Sequence, residues 1–510
     1  MSLIVRALKN VTSSWAGLAM NIAVGFFLSP FILHHLGEDA FGVWVLIFSL
    51  TGYYGIFDFG IRSSLIRYVS KFQATGEREQ LARLINTSLF TYSCLGVILV
   101  VPTVLGGLYV DHLFHIPAAF FRDARILFFM VGSCLALGFP LGIAGGILEG
   151  LQRFYLLNWT NMVSTAVRAV LIVVALLHGY GLVTIALITV SLPLITSAIR
   201  ALMAHRLLTI PYGWKYVDRE SFRQVAYYGS ITFMIIVAAR LRFKTDAVII
   251  GSFLSAAAIT HFSIGARLVD YAGEVVSSLA QIFTPMSSQF HAAGDYDRLR
   301  QIFIAGNRAC AFVMFPICVS LIVMGKSVIE AWMGPRYVSS YVILLILLIP
   351  STLYNAQTTS NRILFGISQH KSLAIIVLIE GVANVILSVA LVRPLGIVGD
   401  AIGTAIPLVC TAILFLPRHM CRRLDVPLRK FVPEAYFYPA LFCVPMALAL
   451  AFIQRSFYAH RYPQLVLNLI VGWSVYGIGV LWFVATREPA GVQLRGRVIR
   501  YFAQAGERQG

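Results

Sequence analysis

The sequence predicts an all-α polytopic membrane protein of about 14 transmembrane helices. Three observations carry that prediction. Hydrophobic residues make up 58% of the 510 and charged ones only 12%, about half the charged share of a soluble domain. Mean hydropathy is +0.80, too high for so long a chain to fold around one water-soluble core. Apolar runs of about 20 residues, the length that crosses a bilayer core, recur from end to end.

The first run, 13–34, follows MSLIVRALKNVTSS, which has no small-residue cleavage site after a short apolar core, so it reads as a retained helix. Further helices are expected over 41–66, 82–109, 120–147, 155–177, 182–206, 224–252, 256–288, 300–325, 339–365, 372–392, 396–417, 433–454 and 465–486. The loops between them tell inside from outside. Arg6 and Lys9 precede the first helix, and Lys71, Arg78 and Arg83 follow the second. Arg206, Lys215, Arg219 and Arg223 follow the sixth, and Arg298 and Arg300 the eighth. Arg418, Arg422, Arg423, Arg429 and Lys430 follow the twelfth, and the tail carries Arg495, Arg497 and Arg500. Alternate loops such as HHLGED (34–39), HGYG (178–181) and SFLSAAA (252–258) are poor in cations. The positive-inside rule then places both termini in the cytoplasm. The same rule accounts for the net charge of +18, which in a soluble protein would point to nucleic acid.

The chain also repeats. FQATGEREQL (72–81) aligns without gaps on FHAAGDYDRL (290–299), GLVTIALIT (181–189) on GIVGDAIGT (396–404), and EGLQ (149–152) on FGIS (365–368). The three spacings, 218, 215 and 216 residues, nearly agree. Both copies begin on the cytoplasmic side, so two parallel six-helix lobes are expected, 1–212 and 213–430, with two additional helices and a basic tail over 431–510. Such paired lobes are a transporter architecture, with the substrate between lobes near the midplane.

Charges inside the apolar runs mark the functional residues. AARLRFKTDAVIIG (238–251) holds Arg240, Arg242, Lys244 and Asp246 within seven positions. On an ideal helix Arg240 and Lys244 share one face while Arg242 and Asp246 share another. The second pair can neutralise itself. The first repels itself unless an anion sits between its members, so these two cations are expected to line a wet cavity for an anionic head group. Arg168 has no acid within four residues, Arg267 has Asp270 three residues on, and Arg62 has Asp58 four before it. Arg308, Arg362 and Glu380 read as interfacial, and Asp400 as a cap or loop contact at the start of a helix. Ions inside a membrane normally face a cavity or one another.

YYGIFDFGIRSSLIRYVSKFQATGE (53–77), LGEDAFGVWVL (36–46) and KTDAVIIGSFLSAAAITHFSIGARL (244–268) resemble motifs of the bacterial polysaccharide-biosynthesis membrane proteins, the oligosaccharide-lipid flippases. The resemblance covers roughly residues 10–420. It implies membership of the superfamily of multidrug and toxin extrusion antiporters and lipid II flippases, and a V-shaped pair of lobes in the bacterial inner membrane. The implied substrate is a polyprenyl-diphosphate-linked oligosaccharide for O-antigen, capsule or exopolysaccharide, moved to the periplasmic leaflet by alternating access. Membrane lipids and other polysaccharide-assembly proteins are the implied partners. By family, proton or cation antiport supplies the energy, with Asp58, Asp246, Asp270 and Glu274 as candidate couplers. The cation density of 240–244 departs from the family motifs, so those residues rest on physics alone.

Other readings fit less well. A multidrug antiporter for lipophilic cations should favour acids and aromatics in its cavity, and this chain has more deep cations than deep acids. A polysaccharide polymerase or glycosyltransferase needs a sizeable outer loop with catalytic acids, and the longest outer stretches, such as YVDHLFHIPAAF (109–120), are short. No cofactor is expected, since GxGxxG, Walker, HExxH and DxD patterns are absent. The seven cysteines form no CxxC pair, and His112 and His115 lack a third ligand, so no metal site is expected.

Overall fold

The computed structural model describes residues 3–208, 210–459 and 461–487, and among them every regular element is helical. The cations Arg495, Arg497 and Arg500 lie outside the described residues. The α-helices are α1 (Leu3–Leu36), α2 (Glu38–Gly52), α3 (Ile61–Thr75), α4 (Arg78–Leu113), α5 (Phe121–Gly150), α6 (Phe154–Leu177), α7 (Leu182–Leu207), α8 (Arg219–Phe243) and α9 (Thr245–Phe253). They continue as α10 (Ala256–Ala280), α11 (Phe283–Ala292), α12 (Tyr296–Met333), α13 (Ser340–Asn355), α14 (Thr358–Gly366), α15 (His370–Cys410), α16 (Leu416–Leu424), α17 (Leu428–Ser456) and α18 (Tyr462–Arg487). Among the described residues, ten helices are long and apolar enough to cross a membrane, or twelve if each of two bent pairs is one span. The chain is a multi-pass membrane protein.

The difference from fourteen continuous spans lies where helices break or fuse. The expected helix over 41–66 is interrupted by a 3-10 segment, Tyr53–Asp58, followed by Phe59 and Gly60, both left-handed. The expected helix over 224–252 breaks at Lys244, whose φ of −123° and ψ of −6° leave the helical region. The expected helix over 256–288 divides into α10 and α11. The two expected over 372–392 and 396–417 run together as α15 across a kink at Gly396, where φ is 61° and ψ −142°. Only glycine adopts that conformation without strain.

The chain packs as two compact units, Met1–Ser263 with Lys371–Pro407, and Ile264–His370 with Leu408–Gly510. In the first, α5 packs against α3, α4 and α7, around Leu65, Val69, Leu84, Ile85 and Leu148, all essentially inaccessible. In the second, α12 packs on α17 and α17 on α18, with Phe303 stacked on Phe431 at 4.4 Å. Leu177 and Phe452 point outward, as expected of side chains that meet lipid rather than water.

Two turns at the repeat spacing are built alike. Gly76 and Gly294 are both left-handed, with φ of 76° and 69°. Around them Glu77 N bonds Phe72 O and Arg78 N bonds Gly76 O, as Asp295 N bonds Phe290 O and Tyr296 N bonds Gly294 O. Gln152 and Ser368, the last residues of the EGLQ and FGIS anchors, are also left-handed, with φ of 57° and 60°.

Within the first unit, α2 and α3 run antiparallel to α8 and α9 along a glycine-rich seam. A Cβ on Gly42 would collide with the Ala256 carbonyl, and one on Gly60 with the Gly229 carbonyl. Leu46 packs on Gly251, Tyr53 Oη meets Thr245 Oγ1 at 2.6 Å, and Ser64 Oγ donates to Val225 O at 2.9 Å. The two broken helices thus lie side by side, and each break is next to the other.

Candidate functional site

The break at Lys244 explains how the charges of 240–246 are tolerated. Arg240 and Arg242 occupy the last turn of α8 and Asp246 the first turn of α9. Cations complement the negative end of a helix dipole and acids the positive end. A broken helix at membrane depth is stable only where its freed backbone groups find partners, and here Lys244 N still bonds Arg240 O at 3.0 Å.

Arg240 and Lys244 both face the seam, as their spacing predicts. A methyl on Gly55 would stand 2.5 Å from Arg240 Nη2, and one on Gly52 would stand 3.6 Å from Lys244 Cδ. Glycine at 55 therefore makes the room that Arg240 occupies, while Gly52 is in ordinary contact with Lys244. Both cations are partly accessible.

Arg242 and Asp246 turn the other way, toward α15. The sequence offers Asp246 as a partner for Arg242; the structure adds Glu380 of α15, Nε to Oε1 at 3.0 Å, with side chains 6% and 3% exposed. Glu380 is therefore enclosed within the protein. The Asp246 carboxylate accepts from Thr404 Oγ1 at 3.1 Å. Thr404 also reaches Asn384 Oδ1 at 3.2 Å, and Ser388 Oγ reaches the same oxygen at 3.0 Å. Beside this network lies Asp400, fully buried, four residues after the Gly396 kink and so near the start of the second half of α15. Ser388 lies beside its carboxylate, and its charge interacts with that of Asp246.

A second cluster lies further along the same unit. The sequence offers Asp58 as the partner of Arg62. Instead, Asp58 Oδ1 accepts from the Arg62 backbone N–H and from Tyr92 Oη, both at 3.1 Å. The Arg62 guanidinium reaches Glu149 of α5, Nη2 to Oε1 at 2.5 Å. It lies against Gly145, where a Cβ would stand 3.3 Å from Nη2. Arg200 of α7, which no local pattern singled out, is held by Thr160 Oγ1 at 2.8 Å, Leu157 O at 3.0 Å and Asn161 Oδ1 at 2.7 Å on α6. It lies within electrostatic reach of both Arg62 and Glu149.

The remaining expected residues stand apart. Arg168 is partly buried on α6 and makes no ion pair among the described residues. Arg267 belongs to the second unit, where its guanidinium lies 5.0 Å from the Tyr271 ring and feels the charges of Asp270 and Glu274. Arg308 stacks over Phe483 at 5.1 Å, and Arg362 donates to Ser277 Oγ at 2.8 Å. Among the described residues no group of three or more His, Cys, Asp or Glu side chains could hold a metal ion.

Known proteins of the same build can now be compared. The chain is 21% identical over 503 residues to an uncharacterised membrane protein, EpsK, of Bacillus subtilis (strain 168), covering 95% of this chain and 97% of that one. It is 22% identical over 435 residues to a candidate O-antigen transporter of Shigella flexneri, covering 81% and 98%. Among solved structures, the lipid II flippase MurJ in an inward closed conformation superposes with a TM-score of 0.71 at 14% identity, covering 93% of this chain and 98% of that chain. An inward-facing multidrug resistance MATE family transporter of the MOP superfamily gives 0.67 at 15% identity, covering 81% and 96%. These two likenesses show the fold. The family described as polysaccharide biosynthesis protein matches residues 35–342, more than half of the sequence, and the chain belongs to that family.

Proposed function

We propose that this protein is a flippase for a polyprenyl-diphosphate-linked oligosaccharide in polysaccharide biosynthesis. It moves its substrate from the cytoplasmic to the periplasmic leaflet of the bacterial inner membrane by alternating access of two lobes, with both termini cytoplasmic. The observation that carries the reading is the pair Arg240 and Lys244. They are like charges on one face, partly accessible, in an apolar chain, packed on Gly52 and Gly55, the second of which leaves Arg240 its room. A diphosphate is the kind of anion that two neighbouring cations bind, and charge-assisted hydrogen bonds are strong where water is scarce. Arg62 adds a third accessible cation in the same unit. Arg168 and Arg267 are candidates for later contacts along the path.

The Asp246–Asp400 pair supports a coupled transporter. A fully buried carboxylate beside a second one favours neutralisation, by a proton or by a cation. Two interacting carboxylates next to the Thr404, Asn384 and Ser388 oxygens suit that exchange. Asp246 is thus the candidate coupler with most support, ahead of Asp58, Asp270 and Glu274.

Native mass spectrometry of the purified protein tests the reading, with a polyprenyl-diphosphate oligosaccharide and a lipophilic quaternary cation in competition. Retention of the diphosphate lipid, weakened by Arg240→Gln and Lys244→Gln, is the expected result. Retention of the quaternary cation instead would move the protein to the drug-antiporter branch of its superfamily.

A further inference from the structure

The Arg62, Glu149 and Arg200 cluster holds two guanidiniums and one carboxylate. Glu149 bonds Arg62 and only influences Arg200 from a distance. Arg200 in turn is fixed by three neutral acceptors, so its orientation does not depend on Glu149. The Arg62–Glu149 pair is partly open to solvent, with side chains 45% and 21% exposed. Such pairs contribute roughly 0–1 kcal/mol and are easily exchanged. The cluster is also placed at one end of its helices. Glu149 is the penultimate residue of α5, Thr160 and Asn161 lie in the second turn of α6, and Arg200 is two turns from the end of α7. That is the end which the cation-rich loops assign to the cytoplasm. Arg240 and Lys244 lie at the middle of the seam instead, beside the helix breaks.

We infer that this cluster is a separate loading subsite for the diphosphate, in which Glu149 is a built-in competitor. The reasoning rests on the flippase reading above. An arriving phosphate takes the place of Glu149 on Arg62 and bonds the free edge of Arg200. Glu149, released, stays close enough to both cations to return when the phosphate moves on. The exchange involves no covalent step and leaves the net charge of the protein unchanged. A competitor of this kind weakens capture and so permits release toward the midplane cations. A subsite of two unopposed arginines would hold the head group at the entrance.

The test measures binding of farnesyl diphosphate to the full-length protein in lipid nanodiscs, with farnesol as the uncharged control. Glu149→Gln is expected to tighten binding about fivefold, the change that removing one exposed counter-ion predicts. Arg200→Gln is expected to weaken it about fivefold or more, and Glu149→Asp to leave it within about twofold, since the competing charge is kept. Thermal unfolding of each variant separates binding from folding. Weaker binding in Glu149→Gln, or equal binding in all three, overturns the subsite. If Arg240→Gln and Lys244→Gln still abolish binding in that case, the flippase reading stands without it. Failure of the wild type to prefer farnesyl diphosphate over farnesol removes both.

Discussion

Two ion pairs in the first unit are made of the same residue types and differ in who can reach them. Arg242 and Glu380 are closed off at 6% and 3% exposure, while Arg62 and Glu149 stand at 45% and 21%. In the closed pair each ion has lost its water, and each is the other's replacement for it. It pins the end of α8 to α15 and has nothing to offer a ligand. In the open pair water already competes, so a phosphate can compete as well. The cations also lie together there, since Arg200 feels the charges of both Arg62 and Glu149, and Asp58 acts on Arg62 as well. Two pairs of the same chemistry thus differ in what can reach them, and only the second could exchange its acid for a ligand.

The largest expected effect tests the closed pair. Glu380→Ala removes the buried carboxylate that Arg242 pairs with, a loss of about 3–5 kcal/mol, read as a large fall in thermal stability and in membrane yield. Glu149→Ala, by contrast, should lose no more than about 1 kcal/mol. Equal losses at the two positions would erase the distinction. The double change Arg242→Met with Glu380→Leu should recover most of the stability, since apolar replacements of a buried pair are often tolerated.

Next in size is function without folding. Arg240→Gln with Lys244→Gln should reduce transport in reconstituted vesicles at least tenfold, from loss of charged hydrogen bonds of about 1.5–3 kcal/mol, while the unfolding temperature holds. A matching fall in stability would make these cations part of an internal network. Asp400→Asn keeps the shape of the side chain and removes its charge. It should abolish the dependence of transport on an imposed proton or sodium gradient, and persistence of that dependence would take the pair out of the coupling.

The smallest effect lies outside the membrane, at the start of α8. Asp218 caps that helix, accepting from Ser221 N at 2.8 Å and from Ser221 Oγ at 2.7 Å. Partial burial pushes its carboxyl up, but the Ser221 bonds outweigh this and hold it below the ordinary 3.8. A folded value below the unfolded one contributes stability above the unfolded value, which is lost as pH falls through the folded one. Asp218→Ala should lose about 1 kcal/mol at neutral pH. The difference from wild type should shrink below pH 4.

The spans were legible because hydropathy needs only a window of neighbours. The pairings were not, because neighbours are all that a single sequence offers. Reading along the helix gave Asp58 to Arg62 and Asp246 to Arg242, whereas Glu149 lies 87 positions away and Glu380 lies on α15. Arg200 sits near the end of its helix and looks like any boundary cation until Thr160 and Asn161 are seen to hold it. The break after Asp58 was signalled faintly by the glycines of YYGIFDFG. Nothing local in RFKTDA marks the break at Lys244, which depends on packing against the opposite helix.

The matched left-handed residues carry a consequence for how the two halves can be altered. Gln152 and Ser368 each hold a side chain in a conformation that disfavours one by roughly 1–2 kcal/mol. The strain is thus stored twice, at corresponding joints, where a chain under no other demand would place glycine. A laboratory seeking a sturdier protein has two symmetric places to relax it, Gln152→Gly and Ser368→Gly. A laboratory seeking to exchange material between halves has joints whose backbone is already cut to the same pattern.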